Sequence, residues 1–219
     1  MTTLPALLER RLGADPGQPL VTYYDDSTGE RTELSVKTWA NWVSKTANLF
    51  ADELMLDPGD DLRIDLPPHW LGTVFLGGLL ASGLNLDDTA PVAIVGPDAL
   101  ARGTGLGTTT TMACALTPFA TRFTEPLPPG VLDHGTIWAG QSDVFSPIEP
   151  TELGEVVPDD RRVLTDLDPL GEQGRALLLG LLAGTGSLVL VRELEDSEWP
   201  ARSQNERATA VLRADQPIS

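Results

Sequence analysis

A chain of 219 residues with 41% hydrophobic side chains carries enough apolar surface for one packed domain, which excludes wholesale disorder. Aromatic residues make up only 5%, so the core must be built mainly from Leu, Val and Ala. The formal net charge of −17, from 15 basic and 32 acidic residues, repels phosphate backbones and anionic lipid, so neither nucleic acid nor a membrane surface is expected as a partner.

The N-terminal stretch Met1 to Gly13 holds Glu9, Arg10 and Arg11 and lacks an apolar run of signal-peptide length. Two uncharged stretches, Trp70 to Leu86 and Ala176 to Val191, fall short of the roughly 20 apolar residues that span a bilayer and read as buried elements. A lone cysteine, Cys114, makes no internal disulfide. Together these features lead to the expectation of a cytoplasmic protein.

In chain order, residues 4–12 suit a short helix. Leu20 to Tyr24 and Arg31 to Leu34, around the turn residues Asp25 to Gly29, read as a β-hairpin. Ser35 then caps a helix over 36–55, in which Val36, Trp39, Val43, Ala47, Phe50 and Leu54 share one face. Pro58-Gly59-Asp60 stops it. A strand over Asp61 to Leu66, a helix over 69–82 that is apolar nearly all round, and a strand over Val92 to Val95 form a βαβ unit. Residues 96–111 are rich in Gly and Thr, and Met112 to Leu116 suits another strand. Seven prolines between Thr117 and Pro158 forbid a long helix there. Arg162 to Thr165, a helix over 170–183 and Leu188 to Val191 make a second βαβ-like unit, followed by a short helix over 200–207 and a strand over Thr209 to Leu212.

The stretch from Leu34 to Gly83 orders its features in a distinctive way. The helix ending at Leu54 leads to Asp57-Pro58-Gly59-Asp60, then the strand Leu62-Arg63-Ile64-Asp65-Leu66, then Pro67-Pro68-His69-Trp70 and a helix ending in Gly77-Gly78-Leu79-Leu80-Ala81-Ser82-Gly83. Further on come Asp159-Asp160-Arg161-Arg162-Val163-Leu164-Thr165, then Leu181 to Gly184 with Ser187 to Val191, then Glu206 to Val211. This order resembles the front part of the adenylate-forming (AMP-binding, acyl-CoA synthetase-like) superfamily over about half the chain. The resemblance implies an α/β fold with an open, mostly parallel sheet flanked by helices, like the N-terminal subdomain of those enzymes. It implies a single truncated domain over 1–219, with an internal division into lobes 1–116 and 117–219.

The departures from that family carry the functional expectation. Between the two matched stretches the family has a Ser/Thr/Gly-rich loop ending in Pro-Lys, which holds the ATP phosphates. The comparable segment here is Gly103 to Thr111; no lysine follows it, and the two lysines of the chain, Lys37 and Lys45, lie in the early helix. The family's later acidic and aromatic motifs, its ribose-binding aspartate and its C-terminal domain with a further lysine have no counterpart. The resemblance with these departures implies no catalytic residue, no cofactor-binding residue, no metal ligand and no cofactor. A non-catalytic binding or protein-interaction module is the leading expectation, with a homodimer or an unidentified protein as partner. A subunit of a split acyl-adenylating enzyme, completed by another chain, is the alternative.

Other chemistry is weighed residue by residue. His69 reads as a packing or helix-capping residue, and Asp133-His134 as a structural pair on a loop, since zinc needs three or four grouped ligands. Cys114 reads as a buried core residue. Gly184-Thr185-Gly186-Ser187 reads as a helix-to-strand turn and not a nucleophile elbow. Glu193-Leu194-Glu195-Asp196 with Glu198 reads as a solvated acidic face. Gly77, Gly78 and Gly83 fail the dinucleotide spacing and are expected to permit close helix–sheet packing.

Overall fold

A computed structural model describes residues 2–104, 110–118, 121–147 and 150–215. The strands are β1 (Pro19–Asp25), β2 (Glu30–Ser35), β3 (Asp61–Asp65), β4 (Asn85–Leu86), β5 (Val92–Val95), β6 (Thr110–Ala113), β7 (Val131–Asp133), β8 (Arg162–Thr165), β9 (Ser187–Arg192) and β10 (Ala210–Leu212). The helices are α1 (Leu4–Ala14), α2 (Val36–Asp52), α3 (Trp70–Ser82), α4 (Pro97–Ala101), α5 (His134–Ile137), α6 (Glu172–Ala183) and α7 (Trp199–Asn205). The fold is α/β and mostly parallel, as the sequence implies, but its strands form two five-stranded sheets and not one open sheet.

The chain divides into two compact units. One comprises Met1–Ala40, Pro68–Leu76 and Glu152–Ser219; the other comprises Asn41–Pro67 and Gly77–Thr151. The units are interleaved in sequence, with boundaries inside α2 and α3, and do not follow a division at residues 116 and 117.

In the first unit the strand order is β10-β8-β9-β1-β2. All neighbours are parallel except the β1–β2 hairpin, whose register pairs Tyr23 with Thr32 and Asp25 with Glu30. One cluster against this sheet joins Leu164, Val189, Val191 and Trp199. Helix α1 is fastened to the end of α6 by a buried guanidinium. Arg11 donates from Nη1 to the Gly184 and Leu181 carbonyls at 2.7 and 3.3 Å, and from Nη2 to the Gly186 carbonyl at 3.1 Å. These are carbonyls that a helix C-terminus and the following turn leave without intrahelical donors. Gly186 is obligatory there, because a Cβ would stand 2.4 Å from the Arg161 carbonyl oxygen.

In the second unit the order is β4-β3-β5-β6-β7, parallel throughout. Small buried residues, Ala93, Val95, Ala99 and Ala113, fill its cluster together with Leu100, Phe123, Leu127 and Val131. The apolar stripe expected on α2 is buried at every position, from Val36 to Leu54, and Ser35 caps the helix by accepting from the Thr38 N–H at 3.1 Å. Helix α2 ends at Asp52, three residues before the expected boundary. The strand expected over Met112 to Leu116 is shifted to Thr110–Ala113, and Leu116 takes a left-handed φ of 51° that ends extended pairing. Helix α4 and the two-residue β4 have no counterpart in the sequence reading, although Pro97 in the first turn is a start signal for α4.

Candidate functional site

The carboxyl ends of parallel strands are where open α/β sheets gather polar groups. In the first unit, β1 and β9 end side by side with Asp25 opposite Arg192, and the hairpin sets Glu30 opposite Asp25. Strand alternation puts Tyr23, Asp25, Glu30, Thr32 and Arg192 on one face. His69 and Trp70, at the start of α3, meet that face, with the His69 and Tyr23 rings edge-on at 4.7 Å. Tyr23, Asp25, Glu30, Thr32 and His69 are all buried.

The cluster consumes its own charges. Arg192 Nη1 lies 3.3 Å from Asp25 Oδ2, and the Ser27 hydroxyl and N–H donate to Asp25 Oδ1. Glu30 Oε1 accepts from Thr32 Oγ1 at 2.7 Å and from the Trp70 indole at 3.1 Å. His69 Nδ1 accepts from the Leu71 N–H at 3.1 Å, so the side chain caps α3 as the sequence suggested. Burial, reinforced by repulsion from Arg192, pushes the His69 pKa down to about 3. Burial likewise drives the Tyr23 phenol well above its ordinary value. At neutral pH the cluster therefore presents an uncharged imidazole, whose Nδ1 is engaged, and a protonated phenol. Neither ring is therefore an activated nucleophile or a poised base.

The other weighed residues fall elsewhere. Asp133 sits at the end of β7 and not on a loop. It caps α5, accepting from the Gly135 N–H at 3.0 Å and from the Phe123 N–H at 3.1 Å. His134 is buried beside Trp138, ring centroids 6.0 Å apart, and burial pushes its pKa down to about 4. Cys114 is buried, which raises its thiol pKa and makes it a poor nucleophile. Residues 184–186 form the turn between α6 and β9. Glu193, Glu195, Asp196 and Glu198 are exposed, and among the described residues no group of three His, Cys, Asp or Glu is placed to hold a metal.

Gly78 corrects one expectation: its close packing is helix on helix, since a Cβ would lie 2.5 Å from Thr46 Cγ2 of α2. Gly83 instead serves the turn after α3 with φ of 69°. Of the segment Gly103 to Thr111, residues 105–109 lie outside the described residues, Thr110 and Thr111 belong to β6, and Gly103 follows α4 in a turn.

The lysines have clear positions. Lys37 is exposed near the start of α2. Lys45 donates to the Ala139 and Gln141 carbonyls, lies 3.2 Å from Asp143 Oδ1, and stands 5.6 Å above the Trp138 ring. It anchors the turn that follows α5.

Sequence reading did not single out Asp25, Glu30, Arg192 or Arg11. Each looks locally like an ordinary surface charge, and its partner lies on another element. The same holds for a second network on the opposite face of this sheet, where Arg162 binds Glu206, Ser187 Oγ and Thr22 Oγ1, and Tyr24 donates to Glu206.

Comparison with known proteins places this architecture. The chain superposes on a Brucella canis acyl-CoA synthetase with a TM-score of 0.76 at 12% identity, over 97% of this chain and 47% of that one. A Streptomyces lividans acetoacetyl-CoA synthetase gives 0.70 at 16% identity, covering 96% and 42%. A Mycobacterium tuberculosis fatty acyl-CoA synthetase gives 0.69 at 11% identity, covering 95% and 48%. The fold is thus that of the N-terminal region of acyl-CoA synthetases, and the chain spans about half the length of these solved structures. No protein-family model matches the chain. A curated protein of Mycobacterium tuberculosis strain H37Rv, described as "TIGR03089 family protein", is 41% identical over 96% of this chain and 98% of its own length. The chain belongs to that TIGR03089 family.

Proposed function

We propose that this protein is a cytoplasmic binding module that uses the adenylate-forming fold without adenylating anything itself. The placement of its lysines carries the reading. Transfer to or from a triphosphate needs cationic groups aimed at the phosphate oxygens. One lysine of this chain is exposed at the start of α2, and the other is committed to carbonyls, a carboxylate and an indole in the second unit. The carboxyl-end cluster supports the same reading, because its two titratable rings are held in their uncharged forms at neutral pH.

Calorimetric titration with ATP, AMP and an acyl-adenylate analogue tests this, together with an assay for acyl-dependent pyrophosphate release. No pyrophosphate and no ATP binding below millimolar concentration are expected. Micromolar ATP binding with acyl-dependent pyrophosphate release by the chain alone would end the reading. The fold spans about half of the solved synthetases, and in a second version of the reading a partner chain supplies the remaining lobe. Co-purification of a stoichiometric partner bearing a Pro-Lys phosphate loop, with pyrophosphate release only from the pair, would establish that version.

A further inference from the structure

The two outer strands of the first unit's sheet are built differently. Strand β2 carries Glu30, Arg31 and Glu33, the charges with which proteins discourage edge pairing. Strand β10 reads Ala210-Val211-Leu212, holds no charge, pairs only with β8 among the described strands, and leaves Val211 43% exposed. Beside it lies an open groove of about 580 Å³ lined by Trp199, Pro200, Ser203 and Gln204 of α7 together with Ala208 and Val211. Arg207 completes the lining and is exposed; its N–H donates to the Gln204 carbonyl, while its guanidinium makes no hydrogen bond or ion pair among the described residues.

Resting on the binding-module reading, we infer that this groove and the edge of β10 capture the C-terminal segment of a partner protein. The segment lies as an added antiparallel strand, with its terminal carboxylate on Arg207. The edge offers main-chain hydrogen bonds, and the groove takes the apolar side chains that alternate toward it. Charge decides the direction. Arg207 stands at the amino-terminal end of β10, so an antiparallel strand brings its carboxyl end to the guanidinium, whereas a parallel strand would bring its ammonium there. The length of β10 decides the terminus: three residues seat only a short segment, and a free carboxylate supplies the acceptor that Arg207 lacks. A second copy of this chain is the weaker occupant, because each copy brings a charge of −17.

The test uses the whole chain and a display library of random heptapeptides with free C-terminal carboxylates. Enriched peptides are then titrated as the acid and as the C-terminal amide. Enrichment of peptides with apolar residues at alternate positions is expected, with about tenfold weaker binding of the amide. Arg207→Gln should bring the acid down to the amide's affinity. Val211→Asp should abolish binding of both, and hydrogen exchange at residues 210–212 should slow only with peptide present. Both side chains are exposed, so thermal melts should match wild type; if Val211→Asp fails to fold, Arg207→Gln decides alone. Failure to enrich any peptide, equal affinity of acid and amide, or unchanged binding by Arg207→Gln would overturn the inference. So would a homodimer that Val211→Asp dissolves. None of these outcomes bears on ATP binding, so the inference can fail while the binding-module reading stands.

Discussion

The two compact units use charge differently. The first buries one cation fully, Arg11 at the end of α6, and places further ion pairs on its sheet, Asp25–Arg192 at the end of two strands and Arg162–Glu206 between β8 and the chain after α7. The second fills its sheet with Ala93, Val95 and Ala113 and uses the partly buried Lys45 as a brace for a turn. A fully buried charge with several partners carries a large penalty when a partner is lost, whereas a partly exposed brace contributes less.

Three measurements sharpen or break that contrast. The largest effect is expected from Arg11→Met, which leaves the carbonyls of Leu181, Gly184 and Gly186 without their donor in a buried place. Urea denaturation should show a loss of about 3 kcal/mol, and a loss below about 1 kcal/mol would mean that solvent replaces the guanidinium.

The second effect is a dependence on pH. The folded-state pKa values of His69 and His134 are depressed to about 3 and about 4. The unfolded chain therefore binds more protons below its ordinary histidine value near 6.5. Each histidine contributes stability that is complete above about pH 6.5 and lost as pH falls toward the folded value. Between pH 6 and 5 each neutral replacement, His69→Gln or His134→Gln, should flatten the stability slope by up to about 1.4 kcal/mol per pH unit. An unchanged slope in His69→Gln would show that this imidazole is protonated in the folded state, reviving the carboxyl-end cluster as a chemical site.

The smallest effect belongs to the second unit. Lys45→Met should cost about 1 kcal/mol, because it removes hydrogen bonds to two carbonyls and a cation over Trp138 at a partly exposed place. A loss as large as that of Arg11→Met would erase the distinction between the units.

Much of the scaffold was legible without coordinates. The stripe from Val36 to Leu54, the stop at Pro58-Gly59-Asp60 and the apolar run of β5 are local patterns that local rules decode. So were the capping role of His69 and the burial of Cys114. The interval from Thr117 to Pro158 was legible only as an exclusion. Its seven prolines rule out a long helix, but they do not announce that Val131–Asp133 joins the sheet or that Asp133 caps a short helix.

By itself, then, the sequence determined the mostly parallel α/β class and its resemblance to the front of the acyl-CoA synthetases. It also determined that few lysines were available for phosphate. Only the tertiary structure decided that the strands part into two sheets, that α2 and α3 are each shared between two units, that Asp25 is buried against Arg192, and that Arg11 is buried against the carbonyls after α6. The physical reason is separation along the chain. Periodicity and capping act within a few residues, whereas a charge such as Arg11 acquires its meaning from carbonyls about 170 positions away.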